Sequence, residues 1–160
     1  MDFRDIGYAD VVVVGQVVNY EIVRDPVVRK RHQRFLDSLP PSSKLRETLA
    51  GPKSFITDYA RFDIVVGEVL RGKAADRVTV TWDNSTFGEP DEMGPGSFLI
   101  ALRDPNSPMP PLRGPSATVM PNPAPATLTV LQAPCAGPFM FETSSKEAGL
   151  VRRMLDGRAE

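Results

Sequence analysis

The sequence predicts a mainly β protein, a small barrel of five antiparallel strands with a helical insertion after the first strand and a helix near the C-terminal end. Two segments carry that expectation: Val12-Val13-Val14-Gly15-Gln16-Val17 and, 52 residues later, Ile64-Val65-Val66-Gly67-Glu68-Val69. β-Branched residues dominate both, and each holds a glycine where a side chain would otherwise pack, the mark of a bulge or a sharp bend. A third observation is the apolar–polar alternation that runs from the second segment across Arg71-Gly72-Lys73-Ala74-Ala75-Asp76 into residues 77–82, the pattern of a hairpin.

Residues 8–23 read as a long first strand, with Val12, Val14, Val18, Tyr20 and Ile22 on one face, Gln16, Asn19 and Glu21 polar, and Gly15 at the bend. Asp25 and Pro26 then fit an N-cap and a first helical position. Val28, Phe35, Leu36 and Leu39 share one helical stripe until Pro40-Pro41 stops it, and a short second turn over 44–50 ends at Gly51. Residues 24–57 are thus a helical insertion.

In the second strand, 59–70, Phe62, Ile64, Val66 and Leu70 point one way, and Arg61 and Asp63 the other. In the third, Val78, Val80 and Trp82 alternate with Arg77, Thr79 and Thr81. A fourth strand follows the turn Met93-Gly94-Pro95-Gly96, with Phe98, Ile100 and Leu102 on one face and Ala101 on the other. Residues 104–127 contain eight of the sixteen prolines, so they cannot supply a central strand's hydrogen bonds and read as an extended loop. The fifth strand falls at 128–131, and Phe139 and Phe141 extend the sheet after Pro134 and Pro138.

Near the C-terminus Ser144 and Glu147 have capping-box spacing, and Leu150, Val151, Met154 and Leu155 form a core-facing stripe. A helix over 144–156 should close one end of the barrel. Among five-stranded barrels the OB-fold fits the long bent first strand and the inserted loops. The whole of 1–160 is expected to be one such domain, a size at which a single core forms.

Nineteen basic residues nearly balance twenty acidic ones, so no global field steers the chain to nucleic acid or anionic lipid, and any such partner must use a local patch. The single cysteine, Cys135, excludes an internal disulfide and argues against a thiolate zinc site. No apolar run approaches the ~20 residues that span a bilayer, so no membrane insertion is expected. Asp2-Phe3-Arg4-Asp5 after Met1 is not the basic and then apolar stretch of a secretory signal, so the expectation is either a cytoplasmic protein or an exported one whose signal has been removed.

Several of these segments, in order, resemble a known family. They are Ala9-Asp10-Val11-Val12-Val13-Val14-Gly15-Gln16-Val17, Phe62-Asp63-Ile64-Val65-Val66-Gly67-Glu68-Val69-Leu70-Arg71-Gly72, Val78-Thr79-Val80 and Gly96-Ser97-Phe98-Leu99-Ile100-Ala101-Leu102. Together they resemble the bacterial relatives of the tissue inhibitor of metalloproteinases, which have the netrin-like form of the OB-fold. The likeness covers about half the chain, and Cys135 stands where such proteins often place a cysteine after the fifth strand. It implies a non-enzymatic protein-binding domain without cofactor, exported to the periplasm or outside if a signal peptide is removed.

The departures limit that implication. The animal inhibitors place an N-terminal cysteine on the protease zinc, and this chain has no cysteine near Met1. Residues 83–95 also lack the further cysteine that bacterial relatives carry before the fourth strand, so the resemblance supplies Cys135 with no intrachain partner. The insertion at 24–57 is larger than the family leads one to expect.

The densest charge run is Arg24, Arg29, Lys30, Arg31, His32 and Arg34, opposed only by Asp25. On a helix, Lys30 and Arg34 share the solvent face with Arg31 at its margin, and such a patch beside an OB barrel suits a single-stranded nucleic acid or an anionic glycan. The bland alternative is a solvated helix face, favoured by the lack of interleaved aromatics. Arg61 and Trp82, with Thr81, are the best guess for a binding position on the barrel itself, and burial of Trp82 would sink it.

Asp83, Glu89, Asp91 and Glu92 offer the hard oxygens Ca²⁺ prefers, yet their spacing is not that of an EF-hand, and they read as a solvated acidic loop. His32 is the single histidine and sits inside a cationic run, so a Ser-His-Asp triad would depend entirely on it, which argues against that chemistry. Cys135 has no neighbouring histidine to activate it. Asp63 and Glu68 fall on opposite faces unless Gly67 marks a bulge. Gly94-Pro95-Gly96 precedes a strand, whereas phosphate loops precede helices. The expected function is protein binding through the 104–127 loop and the 24–57 insertion, with polyanion binding by Arg29, Lys30, Arg31 and Arg34 as the alternative.

Overall fold

The computed structural model describes residues 1–51, 55–83, 89–112 and 124–157. Parts of the insertion (52–54), of the acidic loop (84–88) and of the proline-rich loop (113–123) therefore lie outside the described residues. The strands are β1 (Val11–Val23), β2 (Tyr59–Arg71), β3 (Arg77–Asp83), β4 (Ser97–Arg103), β5 (Leu128–Val130) and β6 (Met140–Glu142). Helix α1 (Pro26–Ser38) and helix α2 (Lys44–Leu49) fill the insertion, and α3 (Lys146–Leu155) ends the chain. The expected first strand starts three residues late because Phe3–Tyr8 coils into a 3-10 helix, capped by the Asp2 carboxylate on the Arg4 amide.

Hydrogen bonding runs β1-β2-β3-β5-β4 and closes through a β1–β4 pairing, giving a five-stranded OB-like barrel. The barrel is mixed rather than purely antiparallel, because β5 enters beside β3 in the parallel sense, Val80 opposite Leu128. A chain that returns from β4 by a long loop can approach β3 from either end, and strand patterning alone does not choose. β6 lies along β4 below β5, with Phe141 opposite Leu99.

Two apolar layers result. Val11, Val13, Ala60, Phe62, Ile64, Val80, Trp82, Phe98, Ile100, Leu102 and Val130 fill the barrel. Val12, Leu99, Ala101, Leu131 and Phe139 on the outer wall are covered by Ile6, Ala9 and, from α3, Ala148 and Val151. Helix α3 thus packs across the wall instead of closing an end. It begins one residue later than the capping-box spacing indicates: the Ser145 hydroxyl, not Ser144, accepts from the Ala148 amide.

Bulges explain where simple alternation fails. In β1 the register against β2 slips between Val18 and Glu21, and Asn19 takes the left-handed conformation with φ of 55°. One extra residue reverses side-chain parity, so Tyr20 and Ile22 join the interior with Val13 and Val17 while Val12 and Val14 face out. In β2 the register slips at Gly67, and Leu70 accordingly leaves the interior row of Phe62, Ile64 and Val66 for the outer layer. Gly15 serves close approach: a methyl group there would lie against the Val65 carbonyl oxygen and 2.7 Å from Ile64 Cγ2.

Candidate functional site

The insertion leaves the barrel at the end of β1 and returns at the start of β2, and one buried carboxylate fastens its base. Asp58 is 2% exposed. Its oxygens accept two bonds from the Arg29 guanidinium, at 2.6 and 2.7 Å, and one each from the Asp25 and Phe55 amides, at 2.9 and 3.0 Å. Burial alone would raise this carboxyl, but the Arg29 and amide donors outweigh it and hold its pKa down at about 2. Asp25, the N-cap of α1, accepts from the Val27 and Val28 amides, as the sequence indicates. The Arg29 guanidinium also lies 5.0 Å from the Phe55 ring centre, and His32 meets that ring edge-on while contacting the Leu49 carbonyl at 3.1 Å.

Behind this clasp lies a cleft of about 540 Å³, lined by Arg24, Arg29, His32 and Leu36 on the α1 side and by Ile22, Phe55, Asp58 and Asp91 on the barrel side. Asp58 and Asp91 are the acids on its barrel side, and Asp83 and Glu89 stand outside its lining. Asp83 at the end of β3 is pushed up to about 6 by burial, partly offset by Arg103, and Glu89 is raised by burial and by Asp58, Asp83 and Asp91. Asp83 Oδ1 and Glu89 Oε2 are buried without a hydrogen-bond partner. The Tyr20 hydroxyl holds this loop to β1 by donating to the Pro90 carbonyl at 2.6 Å. Among the described residues no three His, Cys, Asp or Glu side chains are placed to hold a metal ion.

The sequence-predicted cations separate into two kinds. Arg29 faces inward and is committed to Asp58. Lys30, Arg31 and Arg34 are exposed on the opposite side of α1. That side also carries Val27, 66% exposed, with Phe35, 46% exposed, on its flank. Of the expected stripe of Val28, Phe35, Leu36 and Leu39, only Leu36 is buried, and α2 buries nothing. Leu45 of α2 and Ile56 beyond it are exposed as well.

Arg61 and Trp82 do not share a face of the barrel: Arg61 is exposed and Trp82 is buried. Trp82 points into the barrel, 6% exposed, with its indole N–H donating to Gln132 Oε1 at 2.8 Å. Arg61 pairs with Thr81 on the opposite side of its strand, and Thr81 is itself buried. Asp63 and Glu68 both face outward across the Gly67 bulge, but each is engaged separately. Asp63 accepts from Asn19 and Thr79 at 2.8 and 2.7 Å, and Glu68 pairs with Arg152 of α3 at 2.7 Å. Cys135 sits half-buried in a turn with φ of 62°.

The proline-rich segment is pinned where it begins. Asp10 accepts from the Asp104 amide and the Ser107 hydroxyl, and Arg103 donates to the carbonyls of Asp104, Pro105 and Ser107. Asp58 escapes sequence patterning because it stands in a turn outside any periodic element. Its signal is only an acid just before a strand that follows a basic helix. No family model, curated protein or solved structure matches the chain.

Proposed function

We propose that this protein is a non-enzymatic protein-binding domain, similar in kind to the metalloproteinase-inhibitor-like proteins, in which a rigid OB-like barrel presents the helical insertion as its contact surface. One observation carries the reading: the insertion exposes Val27, Phe35, Leu45 and Ile56 while contributing only Leu36 to the buried interior of its helices. Exposed apolar side chains gathered on one ordered segment mark interaction surfaces. The clasp at Asp58 keeps that segment in place. Loops and insertions on a stable scaffold are where variable recognition resides.

Site-specific photo-cross-linking in the cells that make the protein tests this. Photoreactive residues at positions 35 and 45 should give one discrete adduct each, and the same probe at Val69, exposed on the remote half of β2, should not. Adducts from position 69 alone, or none from the insertion, would put the contact surface elsewhere.

A second reading has its own support. The exposed cations Lys30, Arg31 and Arg34 suit a single-stranded nucleic acid or an anionic glycan. Retention on immobilised heparin or oligothymidine that falls steeply with salt and is lost in Arg31→Glu with Arg34→Glu would favour it.

A further inference from the structure

Resting on the protein-binding reading, we infer that the outer face of α1 docks an acidic, amphipathic segment of a partner protein. Arg34 lies four residues from Lys30 and three from Arg31 on this face, so their like charges repel. Among the described residues of the insertion, no ion pair neutralises them. The one acid of α1, Asp37, accepts from Gln33 at 2.9 Å and faces Arg46 of α2 at 3.9 Å. The acidic side of the cleft is answered instead by Arg29, on the opposite face of α1. A helix face that accumulates unneutralised cations is complementary to carboxylates brought from outside.

Val27 and Phe35 decide the class of partner. Val27 stands among the three cations and Phe35 beside them, so the face is apolar at its middle and cationic around it. An acidic peptide with apolar anchors meets both features, as helix-in-groove and acidic-motif partners do. A nucleic acid would leave Val27 uncovered and finds one aromatic here, whereas single-strand binders stack successive bases on several. An anionic bilayer asks for a broader apolar face than one valine and a flanking phenylalanine.

The test uses the full chain and defined probes. Fluorescence anisotropy would compare a labelled 18-residue peptide of alternating Glu/Asp and Leu/Phe character, a poly-glutamate peptide of equal charge and a 20-mer oligothymidine. Sedimentation with phosphatidylglycerol vesicles, and sedimentation velocity of the protein alone, complete the set. The expected result is that the amphipathic acidic peptide binds at least about tenfold tighter than poly-glutamate, oligothymidine or vesicles. Lys30→Glu with Arg34→Glu should abolish that binding, Val27→Ser should weaken it about fivefold, and Arg61→Glu should leave it unchanged. Absence of peptide binding at low salt, insensitivity to charge reversal, tighter binding of oligothymidine or vesicles, or a salt-sensitive dimer that occupies the face would each overturn the inference. If cross-linking at positions 35 and 45 persists while charge reversal does nothing, the acidic partner is wrong and the protein-binding reading stands. If both fail, both fall.

Discussion

Two carboxyls set opposite pH dependences. Asp58 has its pKa lowered to about 2, below the ordinary carboxylate range near 3.9. Its stabilisation is therefore full above pH ~4 and is lost as pH falls toward 2. Asp58→Ala should cost about 3 kcal/mol at pH 7 by denaturant unfolding, because it leaves the Arg29 guanidinium and two amides without their acceptor. Asp83 is raised to about 6, so the folded state holds a proton that the unfolded state has released, and stability falls as pH rises from ~4 through 6. Asp83→Asn should thus stabilise the protein by about 1–2 kcal/mol at pH 7 and have almost no effect at pH 4. A pH series of unfolding midpoints for the two variants checks both signs. Neither residue was legible from sequence, since a charge's fate depends on what the fold brings beside it. Arg29 belongs to the same basic run as Lys30, yet a partner 29 residues away turns it from a surface cation into a fastener.

Single residues also break the rhythm of elements. The alternation of Phe62, Ile64 and Val66 against Val78, Val80 and Trp82 identified the β2–β3 hairpin because no bulge interrupts their pairing. Alternation misplaced Tyr20, Ile22 and Leu70 because Asn19 and Gly67 each shift parity, and a period-2 pattern cannot announce where it will skip. Gly15 was legible as a bend, and the close approach of the Val65 backbone that excludes a side chain there was not. Gly15→Ala should cost about 2–4 kcal/mol, since the new methyl meets backbone that cannot swing aside. Within α1 the helix itself was readable from Asp25, Pro26 and the closing prolines, but not which side it buries. Leu36→Ala should cost about 2 kcal/mol, and Phe35→Ser should stay within about 0.5 kcal/mol. Equal costs at both positions would mean that α1 sits differently on the barrel.

At the scale of the molecule, strand number, strand order in sequence, insertion and terminal helix were all foreseen, because apolar patterning reports the interior that most of the chain serves. The parallel entry of β5 was not, since a 24-residue proline-rich connection carries no mark of the direction from which it returns. The candidate surface was half legible: the cations were visible as a run, Phe35 was read into the core-facing stripe, and Val27 was not singled out. No helix among the described residues is long and apolar enough to cross a membrane. Among the described residues, no side chain of the insertion belongs to either apolar layer. On the proposed protein-binding reading, this clasped helical segment outside the core is the contact surface. The most direct measurement pairs the thermal midpoint with cross-link yield from position 45 for the variant carrying Val27→Glu, Phe35→Glu and Ile56→Glu. The account predicts a midpoint within about 3 °C of the parent and a cross-link yield reduced at least about fivefold. An unchanged yield, or a variant that no longer folds, would contradict it.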